Sequence, residues 1–165
     1  MIQHISDRDL WKFEMDGTKE VYAYLSSIPM DFLTWTGAIL SDIAVIKSQG
    51  TAILRKFDKD VAALIESTQM ELNIRGWHVP AANIPFLFAS EVGHIMGKGK
   101  PFAATFTLRD GIVTFSLRSE KEGGIDVSEV AKHFGGGGHR NAAGFKVDYD
   151  TFLEFTKKVT PPAEK

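Results

Sequence analysis

The segment Phe134-Gly135-Gly136-Gly137-Gly138-His139-Arg140-Asn141-Ala142-Ala143-Gly144-Phe145 decides how this chain is read. Four consecutive glycines have no side chains to bury, and each loses more backbone entropy on ordering than any other residue would. Bare main chain must be needed there. With no Cβ atoms in the way, successive N–H groups can turn inward into an anion-binding concavity, and a phosphate can reach the backbone. The amides of Gly136, Gly137 and Gly138 are the expected cradle, with the His139 imidazole as a further donor. A flexible linker is the plainer reading, but linkers mix Gly with Ser, whereas this run leads straight into His139 and then Ala142-Ala143-Gly144-Phe145.

Working outward, Asp126 and Glu129 make a capping-box start to a short helix buried through Val127, Val130, Ala131 and Phe134, which ends where the glycines begin. After them, a helical turn over Asn141 to Ala143 would aim its N-terminal donors back at the same place. Gly144 to Val147 reads as a closing strand, and a last short helix starts at Thr151. Upstream lies the clearest hairpin. Residues 102–109 alternate apolar and polar, Asp110-Gly111 turns the chain, and Ile112 to Arg118 alternate again. Val113, Phe115 and Leu117 point one way; Thr114, Ser116 and Arg118 point the other. From pattern alone, Arg118 is a solvated strand end.

The N-terminal half reads as largely helical. Residues 2–5 suit a short strand. Phe32, Trp35, Ile39, Ile43 and Ile46 mark one face of a helix over roughly 30–48, and after Gly50 the pattern resumes as a helix over about 51–74, stopped near Gly76. Residues 77–84 read as a strand on an edge or interrupted by Pro80, and residues 88–97 as a short helix ending at glycine. On it His94 is an ordinary helix histidine, since no paired His or acid stands at metal spacing. The fold class is therefore α/β: a mixed, mostly antiparallel sheet with packed helices, preceded by a helical linker. The expected division is 1–75 for the junction and linker, 76–160 for the binding domain, and 161–165 for a frayed tail.

Composition bounds the partners. The 165 residues, 44% hydrophobic, suit a globular domain that buries about 70% of its unfolded surface. There is no cysteine, hence no disulfide or thiolate metal site, and a reducing cytoplasm is the natural expectation. No apolar run is long enough to span a membrane. Net charge is −2, unevenly spread: residues 1–97 hold eight Lys/Arg against twelve Asp/Glu, while residues 98–146 hold eight against five. A local positive share around the glycine segment suits a small anion or a strand end better than tracking of long duplex.

At these residues the chain resembles the DHH-associated C-terminal domain of DHH phosphoesterases, which include single-strand exonucleases, oligoribonucleases and phosphoadenosine phosphatases; a related copy occurs in alanyl-tRNA synthetases. The likeness rests on Gly135 to His139 followed by Ala142 to Phe145, on Ser116-Leu117-Arg118-Ser119, which resembles the family's substrate-arginine strand, and on Asp7 to Trp11, which resembles the junction after the DHH domain. It implies that the chain opens on the last piece of a preceding domain. It implies further that Arg118, beside Ser119, contacts substrate phosphate, with Gly136, Gly137, Gly138 and His139 completing the grip. Ala142 permits close approach, and Arg140 and Asn141 stand near ribose or base.

The family's hydrolysis belongs to a DHH domain, where Asp and His side chains hold two divalent metals. No Asp-His-His occurs in this chain. Three Asp-x-Asp pairs, Asp7 with Asp9, Asp58 with Asp60 and Asp148 with Asp150, read as solvated acids or helix caps rather than ligands, and Ser119 lacks a nucleophile setting. The chain alone is expected to bind a nucleotide or single-stranded oligonucleotide rather than hydrolyse it. Manganese or magnesium is expected only with a DHH domain, supplied in trans if at all. A homo-oligomer and an RNA-binding module like the synthetase copy are the other expectations, with cytoplasmic location and no membrane partner.

Overall fold

In the computed structural model, residues 1–157 are described, and they divide into two compact units at Asp60 and Val61. The expected tail at 161–165 lies outside the described residues. Helices α1 (Ile2–Asp9), α2 (Thr18–Ser27), α3 (Phe32–Leu40) and most of α4 (Ile43–Thr68) make the first unit. The end of α4 leads into the second, where β1 (Gln69–Ile74), β2 (Trp77–Asn83), a 3-10 turn (Phe86–Phe88), α5 (Ala89–Gly97), β3 (Ala103–Arg109), β4 (Ile112–Arg118), α6 (Val127–His133), β5 (Gly137–His139), β6 (Ala142–Asp148) and α7 (Tyr149–Thr156) follow. No described helix is long and apolar enough to cross a membrane.

The first unit corrects the reading of residues 2–5 as a strand. They open α1, whose His4 and Asp7 turn inward one helical turn apart. Asp7 accepts the Glu14 and Met15 amides and the Thr18 hydroxyl, the last at 2.6 Å, and His4 Nδ1 lies 3.0 Å from Thr18 Oγ1. Asp7 is therefore a buried polar hub, not a solvated acid. Trp11 and Phe13 meet edge to face, with the Arg8 guanidinium over Trp11 and Tyr22. The break between α3 and α4 falls at Ser41 and Asp42, where the Asp42 carboxylate accepts the Ala44 amide. Gly50 does not stop a helix. It lies inside α4 where a Cβ would come within 2.0 Å of the Glu20 carbonyl of α2, so its role is close helix crossing.

In the second unit the six strands run β1-β2-β3-β4-β6-β5, antiparallel except for β2 with β3. The expected helix over 51–74 ends early, because residues 69–74 form β1. Arg75 and Gly76, both at positive φ, make a two-residue turn into β2, which the mirror-image hairpin turns require. Strand β2 is interior, not an edge, and Pro80 sits just before pairing with β3 begins at Ala81. The Asp110-Gly111 hairpin forms as read, with Arg109 opposite Ile112.

One face of the sheet carries the core: Val113, Phe115 and Leu117 of β4 and Ala143 and Phe145 of β6 pack with α6 and α7. Phe115 stacks on Phe145 at 4.7 Å and Phe134 on Phe145 at 4.5 Å. These contacts seat the end of α6 on β6, with the glycines between them.

Candidate functional site

The other face is built by register. Residues directly opposite across antiparallel strands share a face, so Arg118 of β4, Ala142 of β6 and His139 of β5 form one row across three strands. The next row is Ser116, Gly144 and Gly137; beyond it stand Thr114 and Lys146. Helix α5 covers part of this face. A Cβ on Gly93 would lie 2.7 Å from Arg118 Cγ, so that glycine opens room for the arginine stem. The Arg118 guanidinium then donates to Ser90 Oγ of α5 at 3.1 Å and to the Leu117 carbonyl at 2.8 Å. What α5 leaves open is a cleft of about 600 Å³, with Arg118, Ser116, Gly137, Gly144, Lys146 and Phe86 in its lining.

The glycine run is only partly what its sequence suggests. Gly135 takes a left-handed conformation just past α6, and its amide donates to Lys132. The Gly136 amide donates to the Ala131 carbonyl at 2.9 Å, and a Cβ there would strike the Gly144 carbonyl. It is not available to a phosphate. Gly138 combines positive φ with close approach to Ala143. Gly137 alone of the four has neither constraint, and its bare Cα faces open space. Because β5 is extended, successive amides point opposite ways, so Gly136, Gly137 and Gly138 do not form a single inward-facing concavity. Likewise, Asn141 and Ala142 do not begin a helical turn; Arg140 and Asn141 are the turn between β5 and β6.

The remaining expected residues separate into two groups. Arg118, Gly137, His139 and Ala142 share the cleft face. Ser119 and Asn141 brace it from within: Ser119, 3% exposed, donates to the Ile125 carbonyl and accepts from Asn141 Nδ2, which also donates to the Glu120 carbonyl. Arg140 leans away towards Gly124 and Asp126. The Asp126 carboxyl caps α6 and is held below its usual range chiefly by the Ser128 hydroxyl, with Arg140 adding a smaller pull. Glu129 does not close the capping box with its side chain, which pairs with Lys132. His94 Nδ1–H donates to the Ser90 carbonyl at 2.7 Å, an ordinary helix contact.

Three contributors escaped sequence reasoning. Lys146 was hidden in a closing strand, although its place two residues after Gly144 puts it on the same face. Phe86, 74% exposed at the cleft, and Ser90 lie in segments that carry no motif. As to metals, among the described residues no three His, Asp or Glu side chains converge as ligands. Asp7 is committed to Thr18 and two amides, Asp60 pairs with Lys56, and Asp148 caps α7.

The second unit is thus a mixed sheet with α6 and α7 on one face and α5 on part of the other, where Arg118 at the end of β4 and a glycine-rich edge strand meet at the cleft. Residues 89–161 match the DHHA1 domain family, so this segment is a DHH-associated domain. An uncharacterized protein of Acanthamoeba polyphaga mimivirus is 31% identical over 157 residues, covering 87% of this chain and 36% of the viral protein. Among solved structures, the pGpG-specific phosphodiesterase of Vibrio cholerae shares the fold, with a TM-score of 0.52 at 10% identity over 73% of this chain and 46% of that one. The chain thus spans about a third of the viral relative and under half of the phosphodiesterase.

Proposed function

We propose that the cleft binds the phosphate and sugar of a nucleotide or of a short single-stranded oligonucleotide. The observation that carries this reading is the row Arg118, Ala142 and His139 beside the bare row of Gly144 and Gly137. Two nitrogen-bearing side chains flank a floor with almost no side-chain atoms, so an anionic ester can lie against the sheet between them. Arg118 supplies a planar fork already oriented by Ser90, and a charge-assisted contact from a pre-set fork loses little entropy on binding. The exposed Phe86 ring offers a face on which a base stacks. A pGpG-specific phosphodiesterase with the same fold has a dinucleotide substrate, which agrees with such a ligand.

Hydrolysis belongs to a second, metal-holding half. In a complete enzyme this chain would position the phosphodiester, and a DHH domain holding manganese or magnesium would supply the hydrolytic chemistry. The test is binding by the chain itself. In heteronuclear NMR, a 5′-phosphorylated dinucleotide should move the amides of Gly137, Gly138 and His139, and Arg118→Ala should weaken binding by roughly 2–5 kcal/mol if the contact is desolvated. Perturbations confined elsewhere, or unchanged affinity in that variant, would sink the assignment.

A further inference from the structure

We infer that Lys146 is a second anion contact of this cleft, set apart from Arg118 by a bare row of the sheet, so that the cleft selects ligands carrying two phosphates over those carrying one. The inference rests on the phosphate-binding reading of Arg118 and adds the ligand's size to it.

Lys146 lies opposite Thr114, and Arg118 opposite Ala142, on the same pair of strands. Four residues of strand separate the two rows, about 13 Å at the usual rise per residue. Long side chains at that separation can converge on one anion, but Arg118 does not reach towards Lys146. Its guanidinium is drawn to the α5 side by Ser90 Oγ and to its own strand by the Leu117 carbonyl. Between the two cations stand only Ser116, Gly144 and Gly137. A sugar and its linkage can cross that gap without meeting a bulky side chain, while the phosphates on either side each meet one cation.

The cationic run also stops. Beyond Lys146 the cleft continues into a depression that shares Thr114 and Lys146 with it and contains Arg109, Asp110 and Asp148. There Arg109 Nε pairs with Asp110 at 3.3 Å, and Asp148 keeps its carboxylate for the cap of α7. With Arg109 offset by Asp110, the Asp148 carboxylate leaves that end without surplus positive charge to hold a third phosphate. The charge pattern therefore matches a dinucleotide-sized ligand, not a long strand.

Calorimetry with adenosine 5′-monophosphate and with the 5′-phosphorylated adenylyl dinucleotide decides the matter. An exposed lysine contributes modestly, so the dinucleotide should bind about fivefold tighter. Its affinity should fall more steeply with salt, by about 0.7 in the log–log slope for the added phosphate contact. Lys146→Ala should reduce the preference below about twofold and remove the extra slope, and Lys146→Arg should retain both. A Lys146→Ala protein that keeps the preference and the slope overturns the inference, as does a wild-type protein that binds both ligands equally. In that second case Arg118→Ala still weakens both ligands if the underlying reading holds; if neither ligand binds, both readings fall.

Discussion

Phe134 and Phe145 stack with ring centroids 4.5 Å apart and planes 23° from parallel, so the first and last residues of the glycine-rich segment are a single contact. The segment between them is held as a closed loop on the core side while its glycines form the edge of the opposite face. Sequence reading finds a function for the glycines because they are conspicuous. The structure shows that the flanking aromatics decide where those glycines lie.

Truncating that contact should be expensive. Phe145 is buried and also stacks on Phe115 at 4.7 Å. Phe145→Ala removes both pairings and leaves a cavity, and should destabilise the protein by about 3–5 kcal/mol in urea denaturation. Phe145→Leu, which refills most of the volume, should cost less than half as much. A midpoint unchanged by the alanine variant would mean that the stacked rings do not hold the loop.

The glycines themselves should divide by mechanism. A Cβ at Gly136 would meet the Gly144 carbonyl at 2.1 Å, whereas one at Gly137 meets nothing within 4 Å. Gly136→Ala should therefore lose about 1–3 kcal/mol of stability or more through overpacking. Gly137→Ala should stay within about 0.5 kcal/mol of wild type in stability, yet bind nucleotide more weakly, because its new methyl projects where the ligand approaches. If Gly137→Ala binds as wild type does, the ligand does not lie on that row.

Much of the sheet unit is legible in the sequence, for physical reasons that differ by element. Asp110-Gly111 marks its hairpin because few residue pairs take two positive φ values cheaply, and alternation along β4 puts Arg118 on the polar face. Residues 69–74 also alternate, with Met70, Leu72 and Ile74 inward of Gln69, Glu71 and Asn73, but Thr68 and Leu72 fit a helical spacing too, and Arg75 disguises its turn. At Gly50 the local rule that glycine ends helices loses to a packing demand from α2, which no local pattern reveals. Three of the four consecutive glycines are fixed by contacts with α6 or β6 across the fold. Lys146 and Phe86 carry no motif; strand register puts Lys146 on the face of Arg118, and the 3-10 turn brings Phe86 to the same cleft.

Gly93 offers a test of Arg118 that leaves its charge in place. In α5, alanine is intrinsically preferred over glycine by about 1 kcal/mol, but its Cβ would stand 2.7 Å from Arg118 Cγ. The arginine stem is flexible and should move instead of the helix. Gly93→Ala is expected to alter stability by less than about 1 kcal/mol while weakening nucleotide binding in the same direction as Arg118→Ala. The two changes should not add in the double variant, since they act on one contact. Additive losses would show that Gly93 affects binding by some other route.

The hub of the first unit should make stability depend on acid. Burial pushes the His4 imidazole below its ordinary range, helped by the N-terminal ammonium and Lys47, while Asp7 and Asp16 pull the other way. The Asp7 carboxyl is also held below its ordinary range, chiefly by the Thr18 hydroxyl and then by the Glu14 and Met15 amides. Both shifts have the same sign: the unfolded chain binds protons at a higher pH than the folded one. The His4 contribution is complete above about pH 6.5 and is lost as pH falls through the folded value; the Asp7 contribution is complete above about pH 4 and is lost below it. Thermal unfolding followed by the fluorescence of Trp11 and Trp35, both in this unit, should show the midpoint falling from pH 7 to pH 5. His4→Gln should flatten that stretch and leave the steeper fall below pH 4. A variant whose midpoint follows the wild-type slope between pH 7 and pH 5 would remove His4 as the source.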